Sequence, residues 1–520
     1  MRRPKPRVGS QPVHRPGVAQ SEARLLASGA LLQQVAQGAG LIVLLTIVTI
    51  LARRLDSVAE LGAYGLVASL AGYLLVLRNS VASSAVRAMA AAVDPAERRL
   101  VFSAAAALYA VAGVATGVLI AGASVLIAAL ILDGDLAADA RVGGLGLGVV
   151  TAAGVSASVC LDALRAERQF VRAAGTELAA VGLYLATMLA LIFGGAGLGA
   201  LIAASGALPL YSGLLSALVA RRAGLGLRLQ ASAATRTRVM SIVPTAGWLL
   251  VIELCNMAMY AFGRIVLGAY KTPTAVGHYE GPVRAHNLLY ALGGALAVPV
   301  VPTASRYVAT ADARRLRDLV VRGTRYTLAL FVPVCVTLIV LAEPILDAWL
   351  GDRYGSGDLA LAILVSYWLL YGGLVVTPGF LVGAGRAREV ARVMVCAAVA
   401  NLALALVLTP ELGVEGPAIA TAVPFFAAFP FLLRLGLSAS GASVAELARR
   451  AWAPNYALGA ALALCLVAGR AVLPMDRTAA VMGLAACGVL AYWGVFYRGV
   501  LEPEERALVR GLLRSSGPAR

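Results

Sequence analysis

Histidine is nearly missing from this chain: three residues, His14, His278 and His286, among 520. None stands at a metal-ligand spacing, so the sequence offers no metal site. Charge is scarce as well. Asp, Glu, Lys and Arg make up 14% of the residues, against about 25% in an ordinary soluble domain. The six cysteines (Cys160, Cys255, Cys335, Cys396, Cys465 and Cys487) all lie in apolar runs and read as small core residues. There is no Gly-x-x-x-x-Gly-Lys-Ser/Thr loop, so nothing indicates ATP hydrolysis by this chain. The Gly runs at 143–148 and 194–199 lack a strand-to-helix context and read as close helix packing. No Ser/His/Asp set is apparent. The longest outer loop, 342–358, is too short to fold as a domain, which leaves a catalytic site on that face no scaffold. We therefore expect no catalytic residues, no metal and no cofactor.

What is abundant is apolar sequence. Hydrophobic residues are 60% of the chain and the mean hydropathy is +0.83. Apolar runs near 31–51, 60–77, 102–131, 143–163, 173–193, 197–220, 243–263, 282–302, 325–341, 359–377, 390–409, 414–433, 454–473 and 478–497 are close to the ~20 residues that cross a bilayer. The expected fold is all-α: a polytopic membrane protein of about fourteen transmembrane helices.

The basic residues give it an orientation. With the N-terminus in the cytoplasm, 35 of the 44 Lys and Arg fall in cytoplasmic segments, while acids divide evenly between the two sides. A bias confined to Lys and Arg is the positive-inside pattern, and it places both termini in the cytoplasm. The net charge of +17 is thus mostly topology. The Arg residues are spread over eight segments rather than one patch, which argues against a nucleic-acid partner.

Two neighbouring runs carry residues that a lipid-facing helix should not have. Glu253 lies about ten residues from either end of 243–263, ~15 Å from each surface. A carboxyl there needs a partner or a wet cavity. Asn256, Tyr260 and Arg264 fall on the same helical face. On the next helix Arg284 and Asn287 form a second polar stripe with Glu280, which is counted here with the outer-loop acids. Two such stripes imply a water-filled cavity. Gln33, Gln34 and Gln37 add polar groups to the cytoplasmic half of the first helix.

The chain also repeats itself. Gly62-Ala63-Tyr64 matches Gly277-His278-Tyr279 at an offset of 215; Ala166 and Arg168 match Ala384 and Arg386 at 218; GALIA (199–203) matches GPAIA (416–420) at 217. The shift spans six helices, an even number, so two halves of like orientation are expected, related by an axis along the membrane normal. The expected organisation is a disordered basic tail (1–24), an N-lobe of six helices (25–220), a linker (221–240), a C-lobe of six helices (241–436), two appended helices (437–500) and a cytoplasmic tail (501–520).

Several blocks carry a family resemblance: LLTIVTILARRLDSVAELGAYGLV, SSAVRAMA (83–90), LRAERQF (164–170), GRIVLGAYKTPTAVGHYEGP, PVVPTASRY (299–307), AEPILDAWLGDRYGSG, VGAGRAR (382–388) and NLALALVLTPELGVEGPAIATAV (401–423). In order and spacing they resemble bacterial polysaccharide flippases of the multidrug/oligosaccharidyl-lipid/polysaccharide exporter superfamily, over about 25–435. The resemblance implies two six-helix lobes around a cavity in the bacterial cytoplasmic membrane. It implies passage of undecaprenyl-pyrophosphate-linked oligosaccharide from the inner to the outer leaflet by alternating access, with other polysaccharide-assembly membrane proteins as partners.

On that footing Arg264 and Arg284 are candidate ligands of the lipid pyrophosphate, against the plainer reading that they snorkel to the outer surface. Asn256, Tyr260, Asn287, Gln33, Gln34 and Gln37 are candidate substrate contacts, against ordinary interhelical hydrogen bonding. Family members often carry an acid before the basic residue of the seventh-helix block, where Gly263 stands here. Glu253 is then the candidate coupling site for a proton or sodium ion, against a neutral structural carboxyl. The alternatives are a lipid II flippase, a cation-coupled drug or metabolite antiporter, a membrane glycan polymerase or ligase, and a non-transporting scaffold.

Overall fold

The computed structural model describes residues 16–92, 94–224, 229–230, 247–297 and 300–507, and among these the chain is helical with no strand. Twelve stretches are long and apolar enough to cross a membrane. A thirteenth forms if Leu198–Ala204 and Ala207–Arg222, bent by 43°, count as one. The helix Pro273–Ala297 has the length to be the fourteenth, at 25 residues, but His278, Glu280, Arg284, His286 and Asn287 make it too polar for that test.

In chain order, α1 (Pro16–Arg54), α2 (Val58–Ala91), α3 (Pro95–Leu130), α4 (Gly134–Ala157), α5 (Val159–Ala166), α6 (Phe170–Phe193), α7 (Leu198–Ala204) and α8 (Ala207–Arg222) pack on one another. A second bundle holds α9 (Gly247–Tyr270), α10 (Pro273–Ala297), α11 (Val300–Ala309), α12 (Ala313–Val340), α13 (Ala342–Leu350), α14 (Asp358–Ser366), α15 (Trp368–Tyr371), α16 (Val376–Gly383), α17 (Ala387–Leu412) and α18 (Glu415–Ser440). After the short α19 (Val444–Leu447), α20 (Ala453–Val472) and α21 (Thr478–Gly499) pair with each other and lie on α12. The expected tail over 1–24 falls outside the described residues as far as 15, and from Pro16 the chain is already helical. Most of the 221–240 linker also lies outside them. At the far end Glu505 is tied to Arg325 and Tyr326 of α12, so the chain after α21 folds back onto the bundle.

The Gly runs do pack helices closely. A Cβ on Gly117 would lie 2.6 Å from the Gly148 carbonyl, and one on Gly148 the same distance from the Gly117 carbonyl.

The repeat extends to the backbone. Residues with left-handed φ occur in pairs 217 or 218 positions apart: Gly134 and Gly351, Arg168 and Gly385, Gly195 and Gly413, Gly224 and Gly441. The starts of α2 and α10 correspond too. Ser57 caps α2 by accepting from the Glu60 amide at 3.2 Å, while a Glu60 carboxylate oxygen accepts from the amide of Asp56, the residue before the cap, a variant of the capping box. Thr272, 215 residues on, accepts from the Ala275 amide at 3.3 Å, and Pro273 takes the first helical position, where a missing N–H costs nothing.

These matched starts bring equivalent residues face to face. A Cβ on Gly62 would lie 2.0 Å from the Pro273 carbonyl, and one on Gly277 would lie 2.2 Å from the Val58 carbonyl. Val58 and Pro273 are themselves 215 apart. One contact made twice with exchanged partners is what a two-fold axis between α2 and α10 produces.

The bundles meet chiefly through α2 with α9 and α10, and through α1 with α13. These contacts lie toward the end that the basic-residue bias assigns to the outside, called outer below. Trp349 Nε1 donates to Thr49 at 2.7 Å, Arg53 to the Ala348 carbonyl at 2.7 Å, and Arg353 to the Asp56 carbonyl at 3.1 Å. Among the described residues no hydrogen bond or ion pair joins the two bundles at the opposite end.

Candidate functional site

Helix α10 decides the site. The apolar run begins at 282, yet the Thr272 cap starts the helix at Pro273, so Glu280 is an intrahelical residue and not part of an outer loop. This corrects the assignment of Glu280 to the outer-loop acids, which left Glu253 as the one acid counted in a helix centre. Thr272-Pro273 was the available signal, as was the repeat, which aligns Glu280 with Gly65 inside α2.

Glu280 is fully buried. Its carboxylate faces Arg264 of α9, with Nε 2.8 Å from Oε1, and Arg284 one turn along α10, with Nε 3.1 Å from Oε2. The Arg264 Nε contact is close but poorly aligned, while Arg264 Nη2 donates to Oε2 at 3.4 Å. Arg264 Nη1 donates to the Tyr73 hydroxyl at 2.7 Å, and that hydroxyl donates to the Tyr260 carbonyl at 2.9 Å. Tyr73 belongs to α2, so this chain crosses between the bundles. So does the packing: a Cβ on Gly65 would sit 2.0 Å from Glu280 Oε1. The acid thus occupies the space left by its own repeat counterpart. Two Arg against one Glu leave the cluster a net +1.

The acid absent at position 263 is therefore supplied by the next helix. A side chain at 263 would itself meet Pro417, which lies 3.0 Å from the Cβ position.

Arg264 does not snorkel; it is 2% exposed. Arg284 is different. Its Nε serves Glu280, and its two terminal nitrogens hold no partner among the described residues.

The two polar stripes divide along their length. At ~1.5 Å per residue, Arg264 and Glu280 lie about 10 Å below the outer helix ends, in the closed part. Asn256 and Asn287 lie about 20 Å below them, and Glu253 about 25 Å. Here the surface opens: Glu253 is exposed and Asn256 and Asn287 are half-buried. Glu253 makes no hydrogen bond among the described residues, so Asn256 and Tyr260 do not hold it. Tyr260 is turned into an aromatic cluster, with ring centroids 4.7 Å from Tyr290 and 5.0 Å from His286. Gln37 stands at about the depth of Glu253 on α1; Gln34 and Gln37 are exposed and Gln33 half-buried. The structure thus joins Arg264 and Arg284 through Glu280, and leaves Glu253, Asn256, Asn287 and the glutamines at the open end.

Two packed bundles, mid-membrane charge and a seam closed at one end define a multi-pass membrane transporter fold. Solved relatives share that fold. The lipid II flippase MurJ in an inward closed conformation superposes with a TM-score of 0.68 at 14% identity, covering 91% of this chain and all of that one. An inward-facing multidrug resistance MATE transporter gives 0.61 at 16% identity, covering 79% and 99%. A transporter of the same superfamily from Pyrococcus furiosus gives 0.54 at 15% identity, covering 80% and 96%. Residues 50–356 match the family described as polysaccharide biosynthesis protein, and the chain belongs to that family. It is also similar to the probable low-salt glycan biosynthesis flippase Agl15 of Haloferax volcanii, 23% identical over 160 residues. That match covers 31% of this chain and 34% of the relative, so the chain spans about a third of the length of the curated relative it matches.

Proposed function

We propose that this protein flips polyprenyl-pyrophosphate-linked oligosaccharide from the inner to the outer leaflet of a bacterial cytoplasmic membrane by alternating access. It acts as a transporter and not as an enzyme. The moving units are residues 25–220 and 241–436, with 437–500 appended to the second. The observation that carries the reading is the one-sided seam: among the described residues the bonds that join the bundles run from the outer end down to the Glu280 cluster, which supports an inward-facing arrangement. The membership in a polysaccharide family and the partial match to a glycan biosynthesis flippase support the choice of substrate class.

In this reading the free nitrogens of Arg284 receive the pyrophosphate, a two-point match of guanidinium to phosphate oxygens. Glu280 holds that guanidinium in place. Asn256, Tyr260, Asn287, Gln33, Gln34 and Gln37 line the substrate's path, and Arg264 stays locked until the outer seal opens. Arg284→Ala is expected to lower flipping of lipid-linked glycan in vesicles roughly tenfold or more, with insertion and yield near those of the parent. Normal flipping by that variant would remove the pyrophosphate role.

Glu253 is the proposed coupling carboxyl for a proton or sodium ion. Glu253→Gln preserves shape while fixing the neutral state. Flipping measured with and without an imposed pH or sodium gradient should lose its response to the gradient and fall to a slow downhill rate. An undiminished response would make Glu253 a structural carboxyl.

A further inference from the structure

The second bundle contains an aromatic cluster of which the pyrophosphate reading uses only Tyr260. Tyr260, His286, Tyr290, Phe331, Tyr367, Trp368, Tyr371 and Phe425 form one continuous cluster where α9, α10, α12, α14–α15 and α18 converge. Its back is dry. Phe331, Tyr367, Trp368 and Phe425 are almost fully buried, Phe331 stacks on Trp368 at 5.1 Å, and Tyr367 stacks on Phe425 at 4.5 Å. His286 Nε2 and the Tyr367 hydroxyl share a hydrogen bond at 2.5 Å. Its front is not. Tyr290 and Tyr371 are half-buried, and neither hydroxyl has a hydrogen-bond partner among the described residues. A phenol kept within a membrane bundle with its hydroxyl unpaired is costly unless water or a ligand completes it.

The backbone gives a second, independent indication. The span 352–383 is broken in mid-course: α14 ends at Ser366, Trp368–Tyr371 makes one turn, Gly372–Leu374 is 3-10, and α16 resumes at Val376. Irregular backbone at membrane depth is tolerated where it is backed by protein or lines a cavity, and broken helices mark binding sites in transporters. Here the break is backed on one side, where a Cβ on Gly372 would lie 2.8 Å from Phe331, and Tyr371 is its half-buried side. Tyr290 and Tyr371 are linked through two shared neighbours: Tyr290 lies 4.7 Å from Tyr260, Tyr260 lies 6.2 Å from Phe425, and Phe425 lies 4.9 Å from Tyr371, centroid to centroid. Asn256 and Asn287 lie about one turn further out, between them and Arg284.

We propose that Tyr290 and Tyr371 form the sugar-recognition wall of the transport path: a pyranose ring lays its C–H face on the phenol rings, and its hydroxyls pair with the two free phenol hydroxyls and the Asn287 amide. Tyrosine suits this role because one body offers an apolar face and a polar tip. The geometry is that of a headgroup bound in sequence, with the pyrophosphate at Arg284, Asn287 about a turn deeper and the phenol wall about 9 Å from Arg284 along the helix. The inference rests on the flippase reading and adds the residues that would read the glycan.

The test uses the purified full chain and two probes: undecaprenyl pyrophosphate, and the lipid-linked glycan pool extracted from host cells lacking this transporter. The parent is expected to bind the pool at least tenfold more tightly than undecaprenyl pyrophosphate, since a site built to pair hydroxyls discriminates against an analogue without them. Tyr290→Phe with Tyr371→Phe keeps both rings and removes only the hydroxyls; it should cut that preference to about threefold or less while leaving undecaprenyl pyrophosphate binding unchanged. Tyr290→Leu should abolish the preference by removing the stacking face. A preference that survives in all variants, or equal binding of both probes by the parent, overturns the wall. If the parent binds neither probe, the flippase reading fails and takes the wall with it.

Discussion

Gly62→Ala is expected to force the outer seal open. Its new Cβ would stand 2.0 Å from the Pro273 carbonyl and 2.9 Å from the Gly277 amide nitrogen, both backbone atoms that cannot rotate away. Ordinary contact requires α2 and α10 to part by more than an ångström. Overpacking of this kind costs about 1–3 kcal/mol, and here only the outer-closed state bears it. The outward-open population should therefore rise by roughly 5- to 150-fold relative to the closed one. Gly277→Ala meets the Val58 carbonyl at 2.2 Å and should do the same to a similar degree, because the contact is reciprocal. Spin labels at Asp56→Cys and Lys271→Cys, beside the outer ends of α2 and α9, read the separation directly. Gly38→Ala, with nothing within 4 Å, should leave it unchanged. Unaltered distances in both Gly62→Ala and Gly277→Ala would mean that the α2–α10 contact is not the gate.

The second large effect concerns Glu280. Glu280→Ala leaves Arg264 buried without its counter-ion, and loss of one partner of a buried pair costs about 3–5 kcal/mol. The thermal midpoint of the solubilised protein should drop sharply and the membrane yield with it. Glu280→Gln, which keeps an acceptor, should fall between the two. Arg264→Met combined with Glu280→Met removes both charges together and should recover much of the stability, since apolar replacements of a buried pair are often close to neutral. Because the residues touch, the double variant should be far from the sum of the singles. A Glu280→Ala protein as stable as the parent would show that the Arg264 charge is solvated by some other route.

Both effects centre on residues of which the apolar runs indicate little. A run-based reading starts the eighth helix at 282 and so counts Glu280 with a loop. The sequence did contain the correction: the Thr272-Pro273 start signal, and the alignment of Glu280 with Gly65 through the repeat. For Arg264, the nearness of a helix end suits a snorkelling side chain equally well. Only its position opposite Glu280, with Tyr73 reaching across from the other bundle, distinguishes a locked ion pair from a surface charge. Tyr290 and Tyr371 carried no sequence signal, since aromatics in apolar runs are ordinary core.

The all-helical class, the membrane environment and the internal repeat are legible from the chain itself, while the expected fourteen spans compare with twelve long apolar stretches, or thirteen with the bent pair, among the described residues. Each span must carry its own apolar surface and satisfy its own backbone hydrogen bonds, so these signals are local and add up segment by segment. Which polar groups meet is not local. Gly65 and Glu280 stand 215 residues apart, and Tyr73 and Arg264 stand 191 apart. Their pairing depends on two bundles docking about an axis at the Gly62–Gly277 contact. That docking is decided by the close fit of backbone against backbone, a sub-ångström property of three-dimensional packing that no periodicity of residue types records.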